Sequence, residues 1–142
     1  MDLDGRRIGE LVFEFYSAFD NRGGRVPDFR RLREIFSPDA RIRRVSLAGI
    51  DSWTLDAFLV PRIALLTGGG LTEFHEWEVA GHNSGGGSIA SRWSEYAKVG
   101  FLDGVEFRGS GRKLIQMIAK DGRWQIDSIL WEDAEADPQR SA

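Results

Sequence analysis

The sequence predicts an α+β fold, with helices first and then a run of long antiparallel strands in one strongly curved sheet. Three observations carry that expectation. Up to Thr67 the apolar residues recur mostly at spacings of three and four, the period of a helix with one buried stripe. After Gly70 the period drops to two, as in strands whose side chains alternate between faces. The chain then closes on Gly111–Glu132, GRKLIQMIAKDGRWQIDSILWE, two alternating segments joined by Asp121-Gly122, a pair suited to a tight hairpin turn. Helical segments followed by strand segments give α+β order. Strands of about ten residues must twist and coil, and a coiled sheet can wrap its concave face around one long helix.

The elements follow in order. Asp4 can cap the first helix, whose stripe is Ile8, Leu11, Val12, Phe15, Tyr16, Ala18 and Phe19. Phe13 lies off that stripe, which suggests cover on more than one side, and Asn21-Arg22-Gly23-Gly24 ends the helix. Pro27-Asp28 opens a second, shorter helix carrying Phe29, Leu32, Ile35 and Phe36, and Ser37-Pro38 stops it. A strand is expected over Ala40–Val45. Asp51 or Ser52 then caps a third helix with Leu55, Phe58, Leu59, Ile63 and Leu66 inward, and Pro61 is expected to kink or split it. Leu71–Ala80 and Ser88–Val99 read as paired strands around a flexible loop, Gly81–Gly87. Gly100–Ser110 reads as a second connection, turning at Asp103-Gly104.

The 142 residues fit one domain, expected over 1–133, with a mobile acidic tail at 134–142. There is no cysteine, so disulfides, thiolate catalysis and cysteine-ligated metals are excluded. The segment MDLDGRRIGELVFEF lacks the uninterrupted apolar core of a signal peptide, and no apolar run approaches the ~20 residues that span a bilayer. A cytoplasmic protein is expected, without membrane association. A net charge of −3 argues against a general nucleic-acid binder, although eight arginines fall between Arg22 and Arg44. That segment is expected to be a solvated surface.

Several segments together resemble the nuclear transport factor 2-like superfamily, and within it the small bacterial SnoaL-like proteins of unassigned activity. They are IGELVFEFYSAFD, REIFSPDARI, FLVPRIALL with LTEFHEWEV, SRWSEY, and GRKLIQMIAKDGRWQIDSILWED, which together cover nearly the whole chain. The resemblance implies a cystatin-like cone: three helices against a strongly bent antiparallel sheet, wrapped around the long N-terminal helix, with a pocket between them. It also implies a homodimer through the outer sheet face. The superfamily carries isomerases, dehydratases, cyclases and ligand-binding proteins, so each residue must be weighed on its own chemistry. Ketosteroid isomerase needs an aspartate base where Arg43 or Arg44 stands here, and a guanidinium stays charged and cannot abstract a proton. Chemistry of the scytalone dehydratase type, which the resemblance also implies, needs a histidine–aspartate arrangement with tyrosines, for which His75 and Asp127 are the only local material.

His75 and Tyr16 are the candidate catalytic pair: an imidazole among Glu73, Glu76 and Glu78, and a phenol on the first helix. Glu76 and Glu78 share one strand face and are expected to point outward, with Arg92 and Lys98 as cross-strand partners. The expected ligand pocket is lined by Phe15, Phe19, Phe36, Phe58, Trp77 and Gln116, and closed by the first helix, the second helix and the inner sheet face. Trp93 and Trp131 are the candidate dimer-face residues. No metal or cofactor is expected, since two histidines supply too few ligands. The expected function is binding of a small apolar or aromatic molecule. The alternative is an enzyme of isomerase, dehydratase or cyclase type, transferring protons on a cyclic or aromatic metabolite.

Overall fold

A computed structural model of the chain describes residues 3–134. Three helices, α1 (Leu3–Ser17), α2 (Phe29–Glu34) and α3 (Leu55–Thr67), pack against one six-stranded sheet. The strands are β1 (Phe36–Ser46), β2 (Gly49–Thr54), β3 (Leu71–Gly86), β4 (Ile89–Leu102), β5 (Val105–Lys120) and β6 (Arg123–Asp133). Their order across the sheet is β2-β1-β6-β5-β4-β3. Neighbours are antiparallel except β1 and β6, which run parallel, so the curved sheet is mixed rather than purely antiparallel. The parallel pair arises because β6 returns to lie beside β1 after the β3–β5 meander.

The α1 stripe buries Ile8, Leu11, Val12, Phe15 and Tyr16, whereas Phe13 is exposed rather than covered on a second side. Their neighbours are Ile42, Ile115, Met117, Ile126 and Ile129 from the concave sheet face. Both expected Asp-Gly turns form, with positive φ at each residue: Asp103 and Gly104 between β4 and β5, Asp121 and Gly122 between β5 and β6.

Four local expectations are corrected. Gly81–Gly86 is strand, not loop, because each residue is held in register opposite Ser94 to Ile89 of β4. The Gly100–Ser110 stretch likewise belongs to β4 and β5 apart from the two-residue turn. Residues 49–54 form β2, and the α3 cap is Thr54, whose hydroxyl accepts from Ala57 N, rather than Asp51 or Ser52. Finally, α3 runs unbroken through Pro61. Ala57 and Pro61 are both exposed, so the carbonyl that loses its helical donor can bond water instead.

The carbonyl of Ser110 accepts from Ala134 N, which extends the order one residue past β6. The expected acidic tail beyond it, 135–142, lies outside the described residues.

Candidate functional site

Between α3, the end of α1 and the concave sheet face lies a cavity of about 400 Å³. Phe15 and Phe19 form one wall, Phe58, Arg62 and Leu66 of α3 a second, and Phe74, Tyr96, Phe107, Ile129 and Trp131 of the sheet the floor. The second helix takes no part. α2 is six residues long and packs Leu32 into the core, so the longer α3 supplies the wall that α2 was expected to supply.

An ion pair sits inside this apolar space. Lys113 Nζ donates to Glu76 Oε2 at 2.6 Å. The ammonium is also ringed by aromatics, 4.3 Å from the Tyr96 centroid, 4.9 Å from Tyr16, 5.2 Å from Phe15 and 5.9 Å from Trp131. Burial pushes the Lys113 pKa below its ordinary value, with Glu76 opposing the shift. Glu76 and Glu78 therefore face inward, not outward, and Glu76 pairs with Lys113 rather than Lys98. Lys98 instead donates to Asp133 Oδ1 at 3.1 Å, the carboxylate that also accepts from the Tyr96 hydroxyl. Burial raises the Asp133 pKa, but the Tyr96 hydroxyl and the Lys98 ammonium outweigh it and hold the carboxyl low.

At the α3 wall the Arg62 guanidinium lies 3.7 Å over the Phe58 ring, with Trp53 and Trp131 at 5.5 and 5.8 Å. The two indoles stack, with centroids 5.6 Å apart and planes 16° apart. Trp131 is only 9% exposed, so it belongs to the cavity floor and not to an outer dimer face.

Tyr16 is buried, and its hydroxyl lies 2.7 Å from Ser94 Oγ. Ser94 donates to Glu78 Oε2 at 2.6 Å, and the same carboxylate takes two bonds from Arg92. The single Ser94 proton is used on Glu78, so Tyr16 is the donor to Ser94. Burial pushes the Tyr16 phenol well above its ordinary pKa.

His75 lies on the opposite face of β3 from Phe74 and Glu76. It stacks on Trp77 at 4.7 Å, and its Nδ1 has no hydrogen-bond partner among the described residues. Burial and then Arg22 lower its pKa. Tyr16 and His75 do border one space, a cleft of about 490 Å³ between α1 and β3 that also takes in Asp20, Arg25 and Trp77. No hydrogen bond joins them.

Of the six residues expected to line the pocket, Phe15, Phe19 and Phe58 line the cavity. Phe36 is a core residue beneath it, edge-on to Phe15 at 5.9 Å. Trp77 borders the outer cleft instead, and Gln116 faces outward, accepting from Ser128 Oγ at 2.7 Å. Asp127 of β6 accepts from Ser37 of β1, and β5 and β4 separate it from His75 on β3. Arg43 points outward, whereas Arg44 lines the cavity and pairs with Asp51 at 2.7 Å. Most of the other arginines of 22–44 have carboxylate partners: Asp20 for Arg22 and Arg25, Glu34 for Arg30, Glu14 for Arg31 and Asp56 for Arg33. Among the described residues no cluster of three His, Asp or Glu could hold a metal ion, and no helix is long and apolar enough to cross a membrane.

Sequence reasoning missed Lys113, Arg62 and Asn21. Buried Asn21 donates to Leu66 O at 3.0 Å and Leu71 O at 2.7 Å, and accepts from Phe74 N at 2.8 Å. It thereby fixes the ends of α1 and α3 to β3, just where Phe74 and Glu76 enter the cavity. An asparagine before two glycines reads locally as a helix stop, and nothing in the sequence tells that stop from this clamp.

No known family model matches the chain, and no curated protein matches it in sequence. Solved structures do match. A protein of unknown function with a cystatin-like fold from Nostoc punctiforme is 18% identical, with 98% of this chain and 97% of that one covered at a TM-score of 0.73. A nuclear transport factor 2-like protein of unknown function from Shewanella baltica is 13% identical, with 94% and 95% covered at 0.63. A candidate scytalone dehydratase from Novosphingobium aromaticivorans is 13% identical, with 94% and 85% covered at 0.75. At these identities the likeness lies in the backbone, and what it identifies is the architecture: this chain has the cystatin-like, nuclear transport factor 2-like fold.

Proposed function

We propose that the interior cavity binds a small molecule with an apolar, aromatic-sized body. One observation carries this reading: a space of about 400 Å³, walled by aromatic rings, encloses the Glu76–Lys113 ion pair. Small-molecule sites are typically clefts of roughly 300–1,000 Å³, mostly apolar, with a few placed polar groups. A core optimised only for stability closes such voids, since each one forfeits packing. The test is a protein-observed NMR titration with naphthalene-2-carboxamide, a neutral aromatic probe. Resonances of Phe19, Phe58 and Trp131 are expected to shift, and the half-exposed rim substitution Leu65→Trp is expected to weaken the effect by filling the mouth. Absence of shifts at about 1 mM probe, the weak end of useful affinity, defeats the reading.

A second reading is proton-transfer catalysis on a cyclic or aromatic compound. It is favoured by the depressed pKa of Lys113, which eases release of a proton inside the cavity. Tyr16 and His75 form the alternative acid–base pair for a substrate in the α1–β3 cleft. Deuterium incorporation from solvent into 2-tetralone separates the two locations. Loss of exchange in Glu76→Gln puts chemistry in the cone, loss in His75→Gln puts it in the cleft, and no exchange above background defeats catalysis of this type.

The outer sheet face is proposed to pair with a second copy of the chain. Trp93, Leu114 and Leu130 lie directly opposite one another on β4, β5 and β6, and Trp93 and Leu130 are each 44% exposed. The charged row Glu95, Arg112 and Glu132 flanks them on one side, and the polar row Ser91, Gln116 and Ser128 on the other. An apolar centre with a polar rim is the usual anatomy of an interface.

A further inference from the structure

We propose that the ligand of the cone cavity is a hydrophobic monoanion, an aromatic or aliphatic carboxylate, whose charged end is held by Arg62 on the α3 wall. This rests on the cavity being a binding site and adds the chemical class of its occupant.

The argument is a charge count. Five ionised side chains line the cavity: Arg44, Arg62, Lys98, Lys113 and Glu76. Arg44 is matched by Asp51, Lys98 by Asp133 and Lys113 by Glu76. Arg62 has no carboxylate within ion-pair distance among the described residues, and the one hydrogen bond of its guanidinium is from Nη1 to Phe58 O at 3.0 Å. The cavity therefore carries one uncompensated positive charge.

That charge is not on open surface. The guanidinium is half-buried among Phe58, Trp53 and Trp131, and burial together with nearby Arg44 lowers its pKa to about 10, so it remains charged at neutral pH. An unpaired, partly desolvated cation is costly, and an incoming anion removes the cost. Stacking on Phe58 occupies the face of the guanidinium and leaves its edge, where the N–H fork matches a planar carboxylate. The rest of the occupant then meets Phe19, Leu66, Phe107 and Ile129. A single free cation suits one negative charge. A phosphate dianion would need a second free donor, and Lys98, Lys113 and Arg44 are already engaged.

The test compares naphthalene-2-carboxylate with its neutral isostere naphthalene-2-carboxamide by titration calorimetry on the full chain. The carboxylate is expected to bind at least about tenfold more tightly, as one charge-assisted contact provides. In Arg62→Met the preference for the carboxylate over the carboxamide, with both probes measured on the variant, is expected to disappear. Arg62→Gln serves if the methionine variant does not fold, and the wild-type comparison needs no variant. Equal affinities for the two probes overturn the anion inference while leaving the cavity reading intact. A carboxylate preference that survives loss of Arg62 overturns the assignment to that residue. Failure of both probes to bind overturns the cavity reading itself.

Discussion

Lys113 and Glu76 meet at 2.6 Å in the interior, with side chains only 8% and 11% exposed. They stand on strands β5 and β3, with β4 between them, so the bond crosses the concave face. Each charge is tolerable only because the other is present. Lys113→Met or Glu76→Gln alone is expected to cost about 3–5 kcal/mol of stability, the usual penalty for stranding one buried charge. The double substitution is expected to cost less than the sum, as read by denaturant unfolding of the four proteins. Additive losses mean the pair is not coupled.

Ser94 links Tyr16 of α1 to Glu78 of β3. Ser94→Ala leaves the buried Tyr16 hydroxyl without an acceptor and is expected to destabilise by about 1–3 kcal/mol. Adding Tyr16→Phe to that variant is expected to recover part of the loss, because no hydroxyl is then orphaned. A Ser94→Ala protein that unfolds at the wild-type denaturant midpoint contradicts this.

Stability is expected to fall in acid through two windows. In the first, His75 has a folded pKa below its ordinary 6.5, so the folded state binds fewer protons than the unfolded one there. Stability is therefore lost as pH falls below 6.5. In the second, Glu78 and Asp133 have folded pKa values below their ordinary 4.5 and 3.8. Their contribution is complete above those values and disappears as pH drops through the folded ones. Unfolding midpoints measured against pH should decline first below about 6.5 and again below about 4.5. His75→Gln should abolish only the first decline, and an unchanged profile in that variant rules out His75 as its source.

Gly111 sits where a Cβ would collide with the Tyr96 hydroxyl and the Glu132 carbonyl. Gly111→Ala is expected to cost about 1–3 kcal/mol by overpacking and to displace Tyr96 from Asp133. Adding Tyr96→Phe should relieve only part of it, because the ring carbon Cζ would still lie 2.8 Å away. Thermal melts of the wild type and the two variants check the order.

For the proposed dimer, Trp93→Glu or Leu130→Glu is expected to shift the sedimentation mass from two chains to one at micromolar concentration, without lowering the melting temperature of the monomer. A wild-type chain that sediments as a monomer there defeats the proposal.

What the sequence determined by itself is the order of the elements apart from β2, the α1 stripe, both Asp-Gly turns and the alternation of the closing hairpin. These are local: they depend on the helical period, the strand period and the positive φ that Asp-Gly accepts. What only the tertiary structure decided is everything that depends on pairing. The glycines at 81–87 offer no side chains to signal a strand, yet residues 81–86 become one because β4 supplies their partners. β2 is short and largely exposed, so it carries no apolar alternation to read. Alternation groups Trp131 with Ile129 but cannot say which face is concave, and so it misplaced Trp131, Gln116, Glu76 and Glu78. Bulges between Thr72 and His75 and between Glu78 and Ala80 also shift the phase within β3. The Lys113 cage, the Asn21 clamp and the unmatched charge of Arg62 join residues distant in the chain, and only the closing of the cone brings them into contact.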